Sequence, residues 1–197
     1  MALPRRTVCV LLFACCLVAS PGCGGTEPIT TYTVPRSAEA KRPTYRILGA
    51  VYPQDKPVWY FKFTGTEEDI AKHEADFGRL MASVRAPVGD KMPEFTLPPK
   101  WVNIGERVTE RMGISNKTDA VLKIGSKDST LEVTVNRNDG GLGPNLIRWA
   151  DQVDADYDPA TIAESGSTFP ANGMNGLRVD FRGPKNPSAP SGPMMKR

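Results

Sequence analysis

The sequence has few residues of the kinds that form disulfides and metal sites. All four cysteines lie within the first 23 of its 197 residues, and His73 is its single histidine. If the segment before Cys23 is removed, one cysteine remains and an intramolecular disulfide cannot form. A single histidine excludes metal sites that need several imidazole ligands. The fold must therefore be stabilised by a packed core, and catalysis by histidine would depend on His73 alone.

Excess positive charge is also nearly absent once the N-terminal residues are set aside. The whole sequence has 25 basic and 22 acidic residues, a formal net charge of +3. Arg5 and Arg6 are the basic residues before position 23, and without them the net charge is +1. A nearly neutral chain has no basic stripe to neutralise phosphates, so we predict no nucleic-acid partner.

The apolar run at residues 8–19 is too short to be a membrane span. It has 12 residues, whereas a membrane-spanning helix needs about 20. It follows the basic pair Arg5-Arg6 and precedes three small residues at positions 20–22. This order of charged, apolar and small residues is typical of a secretory signal peptide, which we place at residues 1–22.

Cys23 directly follows these small residues, an arrangement that resembles the signal of bacterial lipoproteins. The resemblance implies that Cys23 becomes the first residue of the mature chain and carries the lipid, including palmitate. The alternative is an ordinary secretory signal with an incidental cysteine. A lipidated chain would be a membrane-anchored protein of the cell envelope, on the extracytoplasmic (periplasmic) side.

Composition divides the remaining chain into three parts. Residues 23–42 are polar and irregular, and we interpret them as a tether between the lipidated cysteine and a domain. Residues 43–183 have the length of a single domain. Residues 184–197 contain four prolines and little that is apolar, which predicts a disordered tail.

The domain is predicted to begin with a β-hairpin. Residues 45–52 are rich in β-forming side chains, and residues 58–64 alternate between two faces. One of these faces carries Trp59, Phe61 and Phe63. The segment between the two strands has the composition of a turn. We therefore expect a hairpin with one aromatic face.

A helix is predicted directly after this hairpin, over residues 67–85. Thr66 precedes three acidic residues, which is typical of an N-cap followed by a first turn that the helix dipole favours. His73 lies on the apolar stripe and is interpreted as a residue at the edge of the core. The stripe that we expect to pack on the aromatic face contains Ile70, Phe77, Leu80 and Val84.

The rest of the domain is predicted to add four strands and one or two helices. Trp101 and Ile104 are expected to pack back onto the core. Because most strands come as hairpins with helices interspersed, the fold class is α+β, an antiparallel sheet with two or three packed helices. The predicted elements are strands at 107–114, 120–124, 131–137 and 176–182, a helix at 145–153 and a helical turn from Asp158.

Two segments carry a resemblance to a known group of proteins. They are W-Y-F-K-F-T-G at residues 59–65 and G-G-L-G-P-N-L-I-R-W at residues 140–149, which Gln152 follows. Together with Cys23 they resemble uncharacterised lipoproteins of planctomycete-type bacteria, whose patterns are W-F-F-K-x-T-G and G-G-x-x-x-N-x-x-R-W-x-x-Q. This resemblance implies a lipid anchor and brings no known activity. The elements are more loosely similar to PsbP/Mog1-like domains, which implies an α+β sandwich.

The glycine-rich loop before the second predicted helix is a candidate binding site. Glycines let a ligand approach the backbone, and the free N–H groups of a helix N-terminus attract anions. The alternative is a strand-to-helix turn that needs positive φ. Arg148 and Trp149 are either an exposed contact pair or a core tryptophan with a solvated neighbour. The candidate contacts for a ligand or partner are Asn138, Gly140, Gly141, Asn145, Arg148 and Trp149.

Aspartates recur along residues 151–158 and suggest a second kind of site. The D-x-D-x-D spacing from Asp154 resembles the start of a calcium loop. Pro159 occupies the position that needs glycine, and Ser165 occupies the position that needs glutamate. We therefore interpret this stretch as a solvated acidic loop, and we predict no metal and no cofactor.

These observations favour a non-catalytic binding or assembly module that is lipid-anchored in the cell envelope. Its partners would be the membrane, through the anchor, and an envelope protein or a small ligand. The alternative is an extracytoplasmic enzyme that uses carboxylate or metal chemistry near residues 138–158. That alternative predicts that Asp139, Asp151 or Asp154 converge with His73 in a cleft.

Overall fold

The computed structural model of the chain describes residues 43–54, 56, 59–87, 91–111 and 113–188. The predicted signal peptide, Cys23 and the predicted tether lie outside the described residues, as does the predicted tail from residue 189 onward. No helix in the described ranges is long and apolar enough to cross a membrane.

The described residues form nine strands, two α-helices and a 3₁₀ turn at Ile162–Glu164. The elements are β1 (Tyr45–Tyr52), β2 (Trp59–Thr66), α1 (Glu67–Ser83), β3 (Trp101–Asn103), β4 (Arg107–Arg111), β5 (Ile114–Thr118), β6 (Ala120–Ile124), β7 (Glu132–Arg137), α2 (Leu142–Val153), β8 (Ser167–Ala171) and β9 (Met174–Gly183). Seven strands form one antiparallel sheet in the order β3-β6-β7-β2-β1-β9-β8, and β4 pairs with β5 separately. The predicted α+β fold with an antiparallel sheet is confirmed.

The side chains of β1 alternate between the two faces of the sheet, and each face is packed against a different helix. Leu48 and Ala50 belong to a buried cluster that includes α1. Ile47 and Val51 belong to a second buried cluster that includes α2. The period of two along a strand therefore builds two cores on opposite sides of one sheet.

Helix α1 confirms the predicted cap and the predicted packing. The backbone of Thr66 is extended, and its hydroxyl accepts a hydrogen bond from the Asp69 N–H at 3.2 Å. The rings of Phe63 and Phe77 lie 5.7 Å apart at the interface of β2 and α1. The predicted contact residues are all in one buried cluster, namely Trp59, Phe61, Phe63, Ile70, Phe77, Leu80 and Val84.

The C-terminal end of α1 and the position of His73 follow from local contacts. The helix ends at Ser83, two residues before the predicted end, because Val84 has extended backbone. The His73 side chain is 33% exposed, and its Nδ1 lies 3.7 Å from a carboxylate oxygen of Asp76. His73 therefore lies at the edge of the α1 interface, as predicted.

Helix α2 begins at Leu142, three residues before the predicted start. Gly141 is the N-cap with φ +79°, a backbone conformation that glycine adopts without strain. Pro144 falls in the first turn, where its missing N–H is not needed. Trp149 packs so closely on Gly49 of β1 that a Cβ at that position would overlap the indole ring. The glycine in β1 thus allows α2 to approach the sheet.

The strand predicted at residues 107–114 is wrong, because the chain reverses within it. Gly113 has φ +76°, and the residues on either side form the antiparallel pair β4 and β5.

Trp101 is 6% exposed, which confirms its predicted packing. Ile104 is 43% exposed, so its predicted packing onto the core is wrong. Its backbone N–H donates a hydrogen bond to the Val121 carbonyl at 3.0 Å.

The C-terminal hairpin has one strand that the sequence analysis did not predict. β8 pairs with β9 through the turn Asn172-Gly173, whose φ values are +40° and +86°. Asn-Gly is a favoured hairpin turn because both residues tolerate positive φ. Pro170 weakens the strand signal of β8, which is an edge strand where proline is tolerated. The helical turn expected from Asp158 occurs instead at Ile162–Glu164.

Candidate functional site

The face of the sheet that packs on α2 becomes polar at the strands beyond β1. Helix α2 contacts β1 and β9. On β2 and β7 the half-buried side chains of the same face include Lys62, Thr134 and Asn136. Lys62 and Thr134 are directly opposite each other on these two strands. A polar part of this sheet face, formed by Lys62, Thr134 and Asn136, therefore lies beside α2.

Asn145 organises the N-terminal end of α2 by three hydrogen bonds. Its side chain is buried, with the residue 4% exposed. Its Nδ2 donates to the Gly141 carbonyl at 2.7 Å, and its Oδ1 accepts from Asn138 Nδ2 and Arg148 Nη2, both at 2.8 Å. Tyr60 donates its hydroxyl to the same Gly141 carbonyl at 3.2 Å. Asn145 thus joins the glycine loop to Arg148, and Tyr60 joins β2 to the same loop.

Lys62 points from β2 toward the exposed edge of α2. Its ammonium donates a hydrogen bond to Gln152 Oε1. Burial and the positive charge of Arg148 lower the pKa of Lys62 to about 8. No carboxylate oxygen of the described residues lies within 4.0 Å of Lys62 or Arg148. Two cations are therefore close enough to repel each other and have no acidic partner there.

These contacts define the polar cluster, which consists of Tyr60, Lys62, Asn138, Asn145, Arg148 and Gln152. Sequence analysis predicted three of its members as candidate contacts, namely Asn138, Asn145 and Arg148. The other three, Tyr60, Lys62 and Gln152, were not predicted as site residues. The signals for Lys62 and Gln152 were a lysine within an aromatic strand and a glutamine one helical turn after Arg148.

The other candidate contacts of the glycine loop have structural roles. Trp149 is 2% exposed, and its ring lies 6.0 Å from that of Tyr60 in an edge-to-face arrangement. The core interpretation of Trp149 is therefore confirmed. Gly140 donates its N–H to Asn138 Oδ1 at 2.8 Å, and Gly141 supplies the positive φ that begins α2. The turn interpretation, which requires positive φ, accounts for the conformation of Gly141.

The acidic residues after α2 do not converge with His73. Asp151 accepts a hydrogen bond from the Tyr157 hydroxyl at 2.8 Å, and Asp154 ends α2 in a left-handed conformation with φ +58°. His73 lies on α1, which packs on the opposite face of the sheet. In the described ranges no three His, Cys, Asp or Glu side chains form a group that could hold a metal ion. Asp139 acts electrostatically on Tyr60, which belongs to the α2 side of the sheet. The convergence of Asp139, Asp151 or Asp154 with His73 that the enzyme alternative predicts is therefore not formed.

A second charged cluster lies between α1 and the sheet. Arg46 is only 2% exposed, and it donates to Asp180 through Nε and Nη2 and to Glu74 through Nη1, each at 2.7 Å. Arg178 also pairs with Glu74, and Arg182 pairs with Asp180 at 3.2 Å. Every charge in this cluster has a partner, so we assign it a structural role.

Hydrogen bonds to these arginines lower the pKa values of both carboxyl groups. For Glu74 the main cause is the hydrogen bond from Arg46. For Asp180, burial raises the pKa, but the hydrogen bonds from Arg46 and Arg182 outweigh burial and the pKa falls below its usual value. The charged forms are therefore favoured in the folded protein.

Two surface depressions of the described residues lie away from the polar cluster. One of ≈ 690 Å³ is lined by Pro53, Gln54, Gly173, Met174 and Asn175, none of which carries a charge. A smaller one of ≈ 220 Å³ lies between α1 and β8 and is mainly apolar, with Phe77, Met81 and Phe169 in its wall. Neither depression is lined by a residue of the polar cluster.

No family model, curated protein or solved structure matches this chain. The resemblance to planctomycete-type lipoproteins and the looser one to PsbP/Mog1-like domains therefore stay predictions. The site is defined by the geometry and the charges of this chain's own residues.

Proposed function

We propose that this protein is a lipid-anchored, non-catalytic binding module of the cell envelope, and that it binds its partner or ligand through the polar cluster. The observation that carries the proposal is the pair Lys62 and Arg148, two neighbouring cations without an acidic partner among the described residues. By contrast, the charges around Arg46 on the other face are all paired.

Unpaired charge at a half-buried position lowers the stability of the folded state. A domain that needed only stability would gain from an apolar residue at position 62, where the rest of the strand is largely buried. Departures of this kind are expected where residues serve function. The exposed side chain of Arg148 supports contact with a large partner as well as with a small ligand.

The anchored part of the proposal depends on the sequence alone. Residues 8–19 and Cys23 support a lipoprotein signal, and residues 23–42 support a tether that holds the domain at the membrane surface. We infer that the module acts on components of the envelope that come within reach of this tether.

Recovery of partners from native envelope extracts tests the proposal. The lipidated wild-type protein is compared with Arg148→Ala and with Arg79→Ala, a matched control on α1 whose side chain is 65% exposed. We expect Arg148→Ala to recover less of the specific partner and Arg79→Ala to recover as much as wild type. Equal recovery by all three proteins would contradict the proposal.

Thermal unfolding of the same three proteins shows whether a loss of binding reflects a loss of folding. Arg148 is exposed and makes one hydrogen bond to another side chain, so the midpoint of Arg148→Ala should stay close to that of wild type. Asn145→Ala is not a suitable probe, because it removes three hydrogen bonds from a buried position.

A further inference from the structure

We infer that the polar cluster binds one oxyanion group, a carboxylate or a phosphate, between the Lys62 ammonium and the Arg148 guanidinium. This inference rests on the proposed function and names the chemistry of the ligand at that site. Its structural basis is the set of donors that remain available on these two side chains and the way the neighbouring amides hold them.

Most of the donors on the two cations have no acceptor in the described part of the chain. A lysine ammonium has three N–H donors and a guanidinium has five. Lys62 donates to Gln152, and Arg148 donates to Asn145. The remaining N–H groups suit an oxyanion, which offers several acceptor oxygens and which arginine binds with two parallel hydrogen bonds.

The amide side chains hold the two cations in position before any ligand arrives. Asn145 Oδ1 fixes one nitrogen of Arg148, and Asn145 is itself held by Asn138 and by the Gly141 carbonyl. Gln152 Oε1 fixes Lys62 in the same way. None of these acceptors carries a formal charge. Asp139 acts electrostatically on Tyr60 of the cluster but lies more than 4.0 Å from both cations, so neither cation is paired with a carboxylate of the described residues. A site held in this way loses little conformational entropy on binding.

Unlike Lys62, two other half-buried cations of the domain are paired with a carboxylate. Lys123, on the same face of the sheet, lies 2.7 Å from Glu132, and Arg107 pairs with the same carboxylate at 2.6 Å. Lys62 lacks such a partner, and its pKa of about 8 keeps the ammonium form predominant at pH 7. A bound oxyanion would supply the missing negative charge.

Competitive acylation of lysines in the purified full-length lipidated protein tests the inference. Labelling is measured by mass spectrometry at pH 8 in sodium phosphate, sodium acetate or sodium chloride of equal ionic strength. Lys72 is the internal control, because its side chain is 57% exposed on α1. An anion present at twice its dissociation constant should slow the labelling of Lys62 about threefold. The labelling of Lys72 should not change.

The variants used in the recovery experiment make this test specific. Protection of Lys62 by phosphate or acetate should persist in Arg79→Ala and disappear in Arg148→Ala. Stronger protection by phosphate assigns the phosphate class, and stronger protection by acetate assigns the carboxylate class. Equal labelling of Lys62 in all three salts would overturn the inference, as would protection that survives Arg148→Ala.

Thermal unfolding provides a second measurement that does not depend on labelling. At constant ionic strength, the protecting anion should raise the midpoint of wild type and of Arg79→Ala but not that of Arg148→Ala. If no anion protects or stabilises while partner recovery still needs Arg148, this inference fails and the proposed function stands. If an anion protects while recovery does not need Arg148, the oxyanion site stands and the proposed function fails.

Discussion

Arg46 and Asp180 form a two-pronged ion pair across β1 and β9, with both donor–acceptor distances at 2.7 Å. Arg46 is almost completely buried beneath α1, so its charge depends on this carboxylate and on Glu74. The two residues are 134 positions apart in the chain, so the pair joins two strands that are distant in sequence. It therefore contributes to the contact between the beginning and the end of the domain.

Asp180→Asn should lower the free energy of unfolding by about 3 kcal/mol, because it leaves a buried arginine with one of its two carboxylates. The matched control is Glu68→Gln, whose side chain is 80% exposed and pairs with Lys72. The control should change the free energy by less than about 1 kcal/mol. Urea unfolding at pH 7 measures both, and equal effects would mean that the buried pair adds no stability.

Acid should destabilise the domain through Glu74 and Asp180. Their pKa values are lower in the folded protein than in the unfolded chain. Their contribution is therefore complete above the unfolded pKa values, near 4, and is lost as pH falls through the folded values. Urea unfolding between pH 7 and pH 2 should show this loss in wild type. The loss should be smaller in Asp180→Asn, and identical pH profiles would contradict the assignment.

Lys62→Met should stabilise the domain at pH 7, because it removes a half-buried charge. The pKa of Lys62 is about 8 when folded and 10.5 in the reference state. Between pH 8 and pH 10.5, Lys62 is therefore protonated in the unfolded chain and mostly neutral in the folded protein. Raising the pH through this range increases the free energy of unfolding of wild type by at most about 3 kcal/mol. The difference between wild type and Lys62→Met should shrink from pH 7 to pH 10. A constant difference would contradict the lowered pKa.

Cys23→Ser should abolish acyl labelling and release the protein from the membrane fraction. A single acyl chain binds a membrane only weakly, whereas several chains anchor it stably. Metabolic labelling with a palmitate analogue, followed by fractionation, checks both effects. Labelling and fractionation like those of wild type would contradict the lipoprotein prediction.

Phe61→Ala and Phe77→Ala should each lower the free energy of unfolding by about 3–5 kcal/mol. Both side chains lie in the core between α1 and the sheet and are at most 1% exposed. Val108→Ala is the control, since Val108 is 59% exposed on β4. Thermal melts compare the three variants, and unchanged melting of the two phenylalanine variants would show that the core assignment is wrong.

The parts of the fold that sequence analysis predicted well are those specified by local patterns. Thr66 and the apolar stripe from Ile70 give α1, and the alternation of Trp59, Phe61 and Phe63 gives the buried face of β2. Each of these signals is contained within one helix or one strand. The hairpin turn at Asn172-Gly173 was an equally local signal that the analysis overlooked.

The candidate site was less predictable, because its members are distant in sequence. Lys62 and Gln152 are 90 residues apart and meet only because β1 lies between β2 and β9, and α2 packs across it. No sequence motif around Lys62 or Gln152 indicates that either residue contacts a ligand. The pairing of Arg46 with Asp180 has the same origin, since it requires the strand order and not a motif.

The strand order also constrains when the domain can form during synthesis. Among the described strands, β1 is made first and occupies an interior position, where one of its neighbours is β9, which is made last. Until residue 183 has been synthesised, β1 lacks half of its backbone partners and Arg46 lacks Asp180. Such distant pairing slows folding, since a long loop must close before the contacts form. The sheet of the described domain therefore stays incomplete until β9 has been made.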